Sequence, residues 1–175
     1  MNEMSVEQLR KIIRLDAKTG KLYWLPRKRK NMFNSRFAGK EALASLNDTG
    51  YKRGIVYGMP LFAHRVVWAI YHGEWPKNEI DHKNHNRADN RIANLRDVTT
   101  RENFKNQSLY KTNKTGTHGV YFNKARNKWT ASIAAGKERK YLGSFDSLDA
   151  AVSARKEAEK SLGYHENHGK IPVSA

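Results

Sequence analysis

The sequence predicts an α+β protein: a strand–loop–strand–helix unit followed by a three-stranded antiparallel sheet backed by one helix. Three observations lead there. Residues 79–104 read as two short strands around a polar loop, then a helix start. Downstream, "GVYFNKA", "KWTASIAA" and "RKYLGSF" are short alternating segments joined by "RN" and "GKE", both good turns, which is the pattern of a meander. Residues 147–163 then form an amphipathic helix stopped by Gly163, with Leu148, Ala151, Val152, Ala158 and Leu162 placed to cover one sheet face.

The elements follow in chain order. "SVEQLRKIIRLD" starts as a helix, because Ser5 and Gln8 form a capping box and Leu9, Ile12 and Ile13 make one apolar side. "KLYWL" follows a Thr-Gly turn and reads as a strand. "PRKRKNMFNSRFAGK" is basic, carries few aliphatics and reads as an exposed loop. "GYKRGIVYG" is a second strand ending at the turn "GMP". "AHRVVWAIYHG" is a helix that is apolar nearly all round, so it should be buried, and Gly73 stops it. "EIDH" and "LRDV" are strands flanking the loop "KNHNRADNRIAN", which has room for a small helical turn. Thr99, three residues before Glu102, caps the next helix. The 175 residues suit one medium domain or two small ones. The expected organisation is a basic region over 1–60, a central unit over 61–108, a linker over 109–115, a sheet-and-helix domain over 116–165 and a loose tail over 166–175.

The formal net charge of +16 points to a polyanionic partner, nucleic acid first and an anionic membrane surface second. Residues 1–61 hold 13 Lys/Arg against 5 Asp/Glu, residues 62–110 hold 8 against 6, and residues 111–175 hold 12 against 6. Basic flanks therefore enclose a nearly neutral centre. The absence of cysteine excludes disulfides, Cys-based zinc sites and thiol nucleophiles. No apolar run approaches membrane-spanning length and no signal peptide is visible, so a cytoplasmic protein without a membrane partner is expected.

That neutral centre contains "NEIDHKNHNRADNRIANLRDVTTRENFKN", with two His, seven Asn and three Asp in its span. Phosphodiester hydrolysis needs a base to activate water and a cation to hold the phosphate. His82 suits the base, since imidazole titrates near neutral pH. Asp81 offers a hard carboxylate oxygen for magnesium or manganese, and Asn103 offers an amide oxygen one turn into the following helix. Asp81 and His82 are adjacent, so they share a site only if the strand ends or twists there.

"EIDHKNHNRADNRIANLRDVTTRENFKN", with "LFAHRVVWAIYHGEWPKN" before it, resembles the HNH endonucleases of phages and homing elements. The motif is Asp81-His82, Asn94-Leu95 and Asn103, the last standing where the family name has its final His. The resemblance implies a ββα-metal (His-Me finger) nuclease core around one divalent cation, Mg²⁺ or Mn²⁺. In that core His82 would be the general base, Asp81 and Asn103 the metal ligands, and Asn94 the brace of the loop that presents His82. It implies a homing-type DNA endonuclease, nicking or cutting both strands, working as a monomer or homodimer on double-stranded DNA in the cytoplasm, a host cell's if phage-encoded. The alternative is a catalytically inactive, sequence-specific DNA-binding regulator.

"GTHGVYFNKARNKWTASIAAGKERKYLGSFDSLDAAVSARKEAE" resembles the APETALA2/ethylene-response-factor DNA-binding domain, which lays a three-stranded sheet in the major groove. Strand parity places Val120, Phe122, Trp129, Ala131, Ile133 and Leu142 toward the helix. It places Tyr121, Asn123, Lys128, Thr130, Ser132, Arg139 and Tyr141 on the other face, toward DNA, with Arg126 in a turn near phosphates. The run Arg27, Lys28, Arg29 and Lys30 is placed to track phosphates. Arg87, Arg91 and Arg96 either hold DNA backbone or sit solvated. His64 reads as a capping or packing residue, His85 as a solvated loop residue, and Asn84, Asn86 and Asn90 as loop formers.

Overall fold

The computed structural model describes residues 4–28, 32–136 and 138–171. Its packing divides the chain into two units, one ending at Thr99 and the next beginning at Thr100. Arg29, Lys30 and the end of the expected loose tail (172–175) lie outside the described residues.

In the first unit the capping box is present: Gln8 N–H donates to Ser5 Oγ (3.2 Å) and Ser5 N–H to Gln8 Oε1 (3.0 Å). The helix it starts, α1 (Val6–Arg10), is shorter than expected. Ile13–Asp16 leaves it as strand β1 and pairs antiparallel with β2 (Lys21–Trp24). The cause is the turn between them. Asp16 Oδ1 accepts from the N–H groups of Lys18 and Thr19, and Gly20 sits at φ +68°. A hairpin turn that strong, with β-branched Ile13 before it, outcompetes one more helical turn. Gly20 has a second reason to be glycine, since a Cβ there would lie 2.2 Å from the Asn90 carbonyl carbon.

The basic segment expected as a loop contains a short helix, α2 (Met32–Phe37), whose Phe33 packs edge-on against Trp24. β3 (Glu41–Ala42) extends the β1–β2 sheet. A second sheet holds β4 (Ser45–Leu46), β5 (Lys52–Val56) and β6 (Met59–Phe62). Met59–Pro60 is thus strand rather than turn; the reversal is at Tyr57-Gly58, both with positive φ. Helix α3 (Ala63–His72) ends where Gly73 adopts φ 83°. It buries Val66, Val67, Ala69 and Ile70, while Tyr71 stays half exposed.

β7 (Glu79–His82) and β8 (Leu95–Val98) form an antiparallel pair, with a single 3-10 turn over Ile92–Asn94 before β8. The Asp97 carboxylate accepts from Lys77 N–H (2.7 Å) and Asn78 N–H (2.9 Å), which sets the entry into β7. Ile80 and Leu95 of this hairpin share one core with Leu9, Ile13, Leu22, Val56, Val66 and Val67. Each such side chain contributes about 1.5–3 kcal/mol on burial. Residues before 61 therefore share a core with the β7–β8 hairpin.

The second unit begins with α4 (Thr100–Phe104), then β9 (Val120–Asn123), β10 (Lys128–Ala135) and β11 (Glu138–Phe145), with β10 central, and closes with α5 (Leu148–Ser161). Val120, Ala131 and Ala151 form its core, flanked by Trp129, Leu142, Phe145, Leu148 and Val152. Ser147 Oγ accepts from Ala150 N–H and starts α5. Arg155 and Glu159 lie buried under the helix, ion-paired at 2.9 Å. The tail is not loose as far as Ile171. His165 N–H bonds to Lys105 C=O, Gly169 N–H to Gln107 C=O, and His168 is buried beside Arg155, His118 and Tyr164.

Candidate active site

His82 is the last residue of β7 and is 3% exposed. Its Nε2 lies 3.1 Å from Asn90 Oδ1. In the tautomer that carries its proton on Nε2, His82 donates to this carboxamide oxygen and keeps its lone pair on Nδ1. The imidazole packs against His64 (ring centroids 5.3 Å apart) and Tyr51 (5.7 Å). Burial holds the His82 pKa below its ordinary value, against the opposing effects of the Asn90 hydrogen bond and the Asp81 charge. Burial, then the charges of His82 and Arg65, push His64 down to about 3. Both rings are therefore neutral near pH 7, as a proton acceptor must be.

The loop after β7 is a hydrogen-bonded cage. Asn94 Oδ1 accepts from Asn84 N–H (3.0 Å), Asn94 Nδ2 donates to Asp89 C=O (2.8 Å), and Asn94 C=O accepts from Lys83 N–H (2.9 Å). Asn84 Nδ2 donates to Asp89 Oδ2, and Asn86 Oδ1 accepts from Ala88 N–H. His85 occupies φ 63° inside this loop.

β7 is paired without a register shift through His82. Its alternation sends His82 toward Asn90, His64 and Tyr51, and Asp81 toward Arg96. The Arg96 guanidinium reaches Asp81 Oδ2 at 2.7 Å from Nε and 2.6 Å from Nη2. The strand ends at His82, and no register shift twists it between Asp81 and His82. Asn103 lies on α4, in the second unit. Among the described residues no three His, Cys, Asp or Glu side chains converge as a metal cluster.

The expected phosphate contacts sit in varied surroundings. Arg87 donates to Thr49 C=O (3.0 Å) and covers the Tyr51 ring. Arg91 is ion-paired with Asp89, whose carboxyl it holds below the usual range. Lys28 is exposed, and Arg27 lies 3.8 Å over Phe33.

In the second unit Tyr121, Arg126, Arg139 and Tyr141 are exposed, Asn123 is half-buried, and Lys128 pairs with Asp146. Thr130 and Ser132 are corrections. They are only 4% and 7% exposed on the central strand, where Thr130 lies between Tyr121 and Ser144 and Ser132 lies between Gly119 and Tyr141. Phe122, placed toward the helix by parity, is 42% exposed and packs edge-on against Trp129. A bulge between Ala131 and Ser132 makes Leu142 the extra residue of β11. It brings Ser144 to the face of Tyr141, and their hydroxyls meet at 2.7 Å.

Residues 61–105 match the HNH endonuclease family. An HNH domain therefore occupies α3, β7, β8 and α4, and the match points to a nuclease whose substrate is DNA. No curated protein and no solved structure matches the chain. HNH nucleases generally use a divalent metal ion. The side chains of Asp81 and Asn103 belong to the hard-oxygen class that such an ion takes. No helix among the described residues is long and apolar enough to cross a membrane.

Sequence reasoning missed Asn90, one of several asparagines in a polar loop, with no local signal to separate it from Asn84 or Asn86. Tyr51 was missed because it comes from a distant strand entry. Arg96 was left undecided between DNA and solvent, and its register opposite Asp81 required the strand pairing.

Proposed function

We propose that the chain is a metal-dependent DNA endonuclease of the homing type, with His82 as its general base. The observation that carries this reading is the His82–Asn90 bond inside the HNH match. In the tautomer with Nε2–H donating to Asn90, Nδ1 is the proton acceptor, and burial lowers the ring's pKa in favour of the neutral form. His82 takes a proton from water, the water oxygen bonds to phosphorus, and one P–O ester bond breaks, its electron pair going to the departing sugar oxygen, which takes a proton from solvent water. Asn94 holds the loop that presents the imidazole. Asp81 and Asn103, by their spacing in the matched segment, would hold the divalent cation, magnesium or manganese. When bound, the cation stabilises charge on the scissile phosphate.

DNA is engaged through the exposed sheet face of Tyr121, Asn123, Lys128, Arg139, Tyr141 and Ser144, with Arg126 at its edge, in an APETALA2-like manner. The run of Arg27, Lys28, Arg29 and Lys30 adds phosphate contacts, and Arg87 and Arg91 support the loop at the cleavage site. One centre per chain gives a nick per monomer, and a homodimer cuts both strands.

The test is incubation of the purified protein with supercoiled plasmid and magnesium. Nicked or linear product is expected, and His82→Ala should lose it while still shifting DNA on a gel. A second reading has its own support: the Arg96 guanidinium already neutralises Asp81, as in a DNA-binding regulator that no longer cuts. A shifted but uncut plasmid at every magnesium and manganese concentration selects that reading.

A further inference from the structure

Away from His82, the first unit carries an aromatic pocket that cleavage does not use. Asn34 anchors α2 beside β2: its Oδ1 accepts from Arg27 N–H (2.7 Å) and its Nδ2 donates to Arg27 C=O (2.8 Å). This sets the Phe33 ring against Trp24 (centroids 5.6 Å apart) and Phe37 (5.2 Å). The Arg27 guanidinium lies 3.8 Å over Phe33 and 5.6 Å from the Tyr57 ring. These side chains and Ile55 border a cavity of about 210 Å³. Ile55 and Tyr57 are 69% and 63% exposed at its rim. Tyr57 is held there at φ 48°, a backbone state a bulky residue adopts only under constraint.

The surrounding charge is one-sided. Residues 21–40 hold seven Lys/Arg and no Asp or Glu, and Arg53 adds another cation on the neighbouring strand. Aromatic faces carried by a segment rich in cations and without Asp or Glu are the chemistry that holds a nucleic-acid strand with exposed bases. An apolar protein partner is a poorer match, because lysine is depleted from such interfaces. The volume is below the roughly 300 Å³ at which pockets for whole drug-sized ligands begin, so it suits a single ring system.

We propose that this pocket receives one unpaired nucleobase, stacked against Tyr57 and Phe33 beside Arg27, while Lys28, Arg36 and Arg53 meet the flanking phosphates. A fully paired duplex hides its base faces, so the pocket makes the protein prefer DNA with a base out of the stack. The inference rests on the DNA-binding part of the proposed function and not on catalysis at His82.

The experiment uses full-length His82→Ala protein, so that no strand is cut. Three short duplexes are titrated: fully paired, with one extra unpaired adenine, and with an abasic sugar in place of that adenine. The unpaired adenine should bind about ten-fold more tightly than the abasic sugar. Tyr57→Asn, which tolerates the positive φ, should erase that difference and leave affinity for the paired duplex unchanged. Arg27→Gln, which keeps the backbone clamp to Asn34, should reduce it. Equal affinity for the adenine and abasic duplexes overturns the pocket and leaves DNA binding standing, as does a preference that survives in Tyr57→Asn. Failure to bind any of the three overturns the DNA-binding reading too. A concentration-dependent dimer in sedimentation, lost in Tyr57→Asn, overturns the proposal in favour of a second copy as occupant.

Discussion

At the scale of single residues, the arrangement turns on a carboxamide oxygen facing an imidazole nitrogen. Asn90 is 2% exposed and its Oδ1 holds His82 Nε2. Removing it frees the ring to take the other tautomer, which presents a proton where the water must be deprotonated. Asn90→Ala should therefore slow cleavage by about 10²-fold with DNA affinity nearly unchanged. Single-turnover cleavage and a gel-shift titration on the same preparation check both halves, and ring ¹⁵N shifts of His82 report the tautomer directly. An equal loss in binding and cleavage would mean that Asn90 only supports the fold.

At the scale of elements, two contacts control how far local segments are committed. The β1–β2 turn approaches the β7–β8 loop so closely that a Cβ on Gly20 would lie 2.2 Å from the Asn90 carbonyl carbon and 2.4 Å from Arg91 N. Backbone cannot yield as a side-chain tip does, and φ +68° disfavours alanine as well. Gly20→Ala should cost about 1–3 kcal/mol in a melting experiment. It should also slow cleavage, because relief of the clash displaces Asn90.

The closing tail has a pH signature. His168 faces Glu159, Arg155 and Lys156 of α5, His118 of the preceding loop, and the ring of Tyr164. Burial first, then the neighbouring cations, push its pKa down to about 4, against the pull of Glu159. The unfolded chain takes up that proton at an ordinary pKa, about 6.5, and the folded chain does so only near 4. Stability from the neutral ring is therefore full above about pH 6.5 and is lost as the pH falls toward 4. The melting temperature should decline across that window, and His168→Gln should flatten the decline.

At the scale of the whole molecule, charge dominates. Of the net +16, +14 lies in the segments before residue 62 and after residue 110. Binding through six to ten phosphates should weaken by about 10³–10⁵ between 50 and 200 mM salt. Fluorescence anisotropy on a labelled duplex measures the slope. A salt-independent affinity would remove phosphate contact as the source of binding.

Much of the element order was legible in the residues themselves. Alternation marked β7, β8 and the β9–β11 meander, Gly73 and Gly163 marked helix ends, and the spacing of Asp81-His82, Asn94 and Asn103 marked the HNH segment. These are local signals, carried by side-chain period and turn chemistry within a few residues. Where two local signals competed, the reading failed. Ile12-Ile13 suited a helix face, but the Asp16–Gly20 turn made the segment a strand. Tertiary structure alone decided which asparagine of a polar loop meets His82, that Arg96 takes Asp81, and that a bulge turns Ser144 toward Tyr141. Each depends on the register and approach of chain segments distant in sequence, and burial is a property of the packed ensemble that no short window of residues contains.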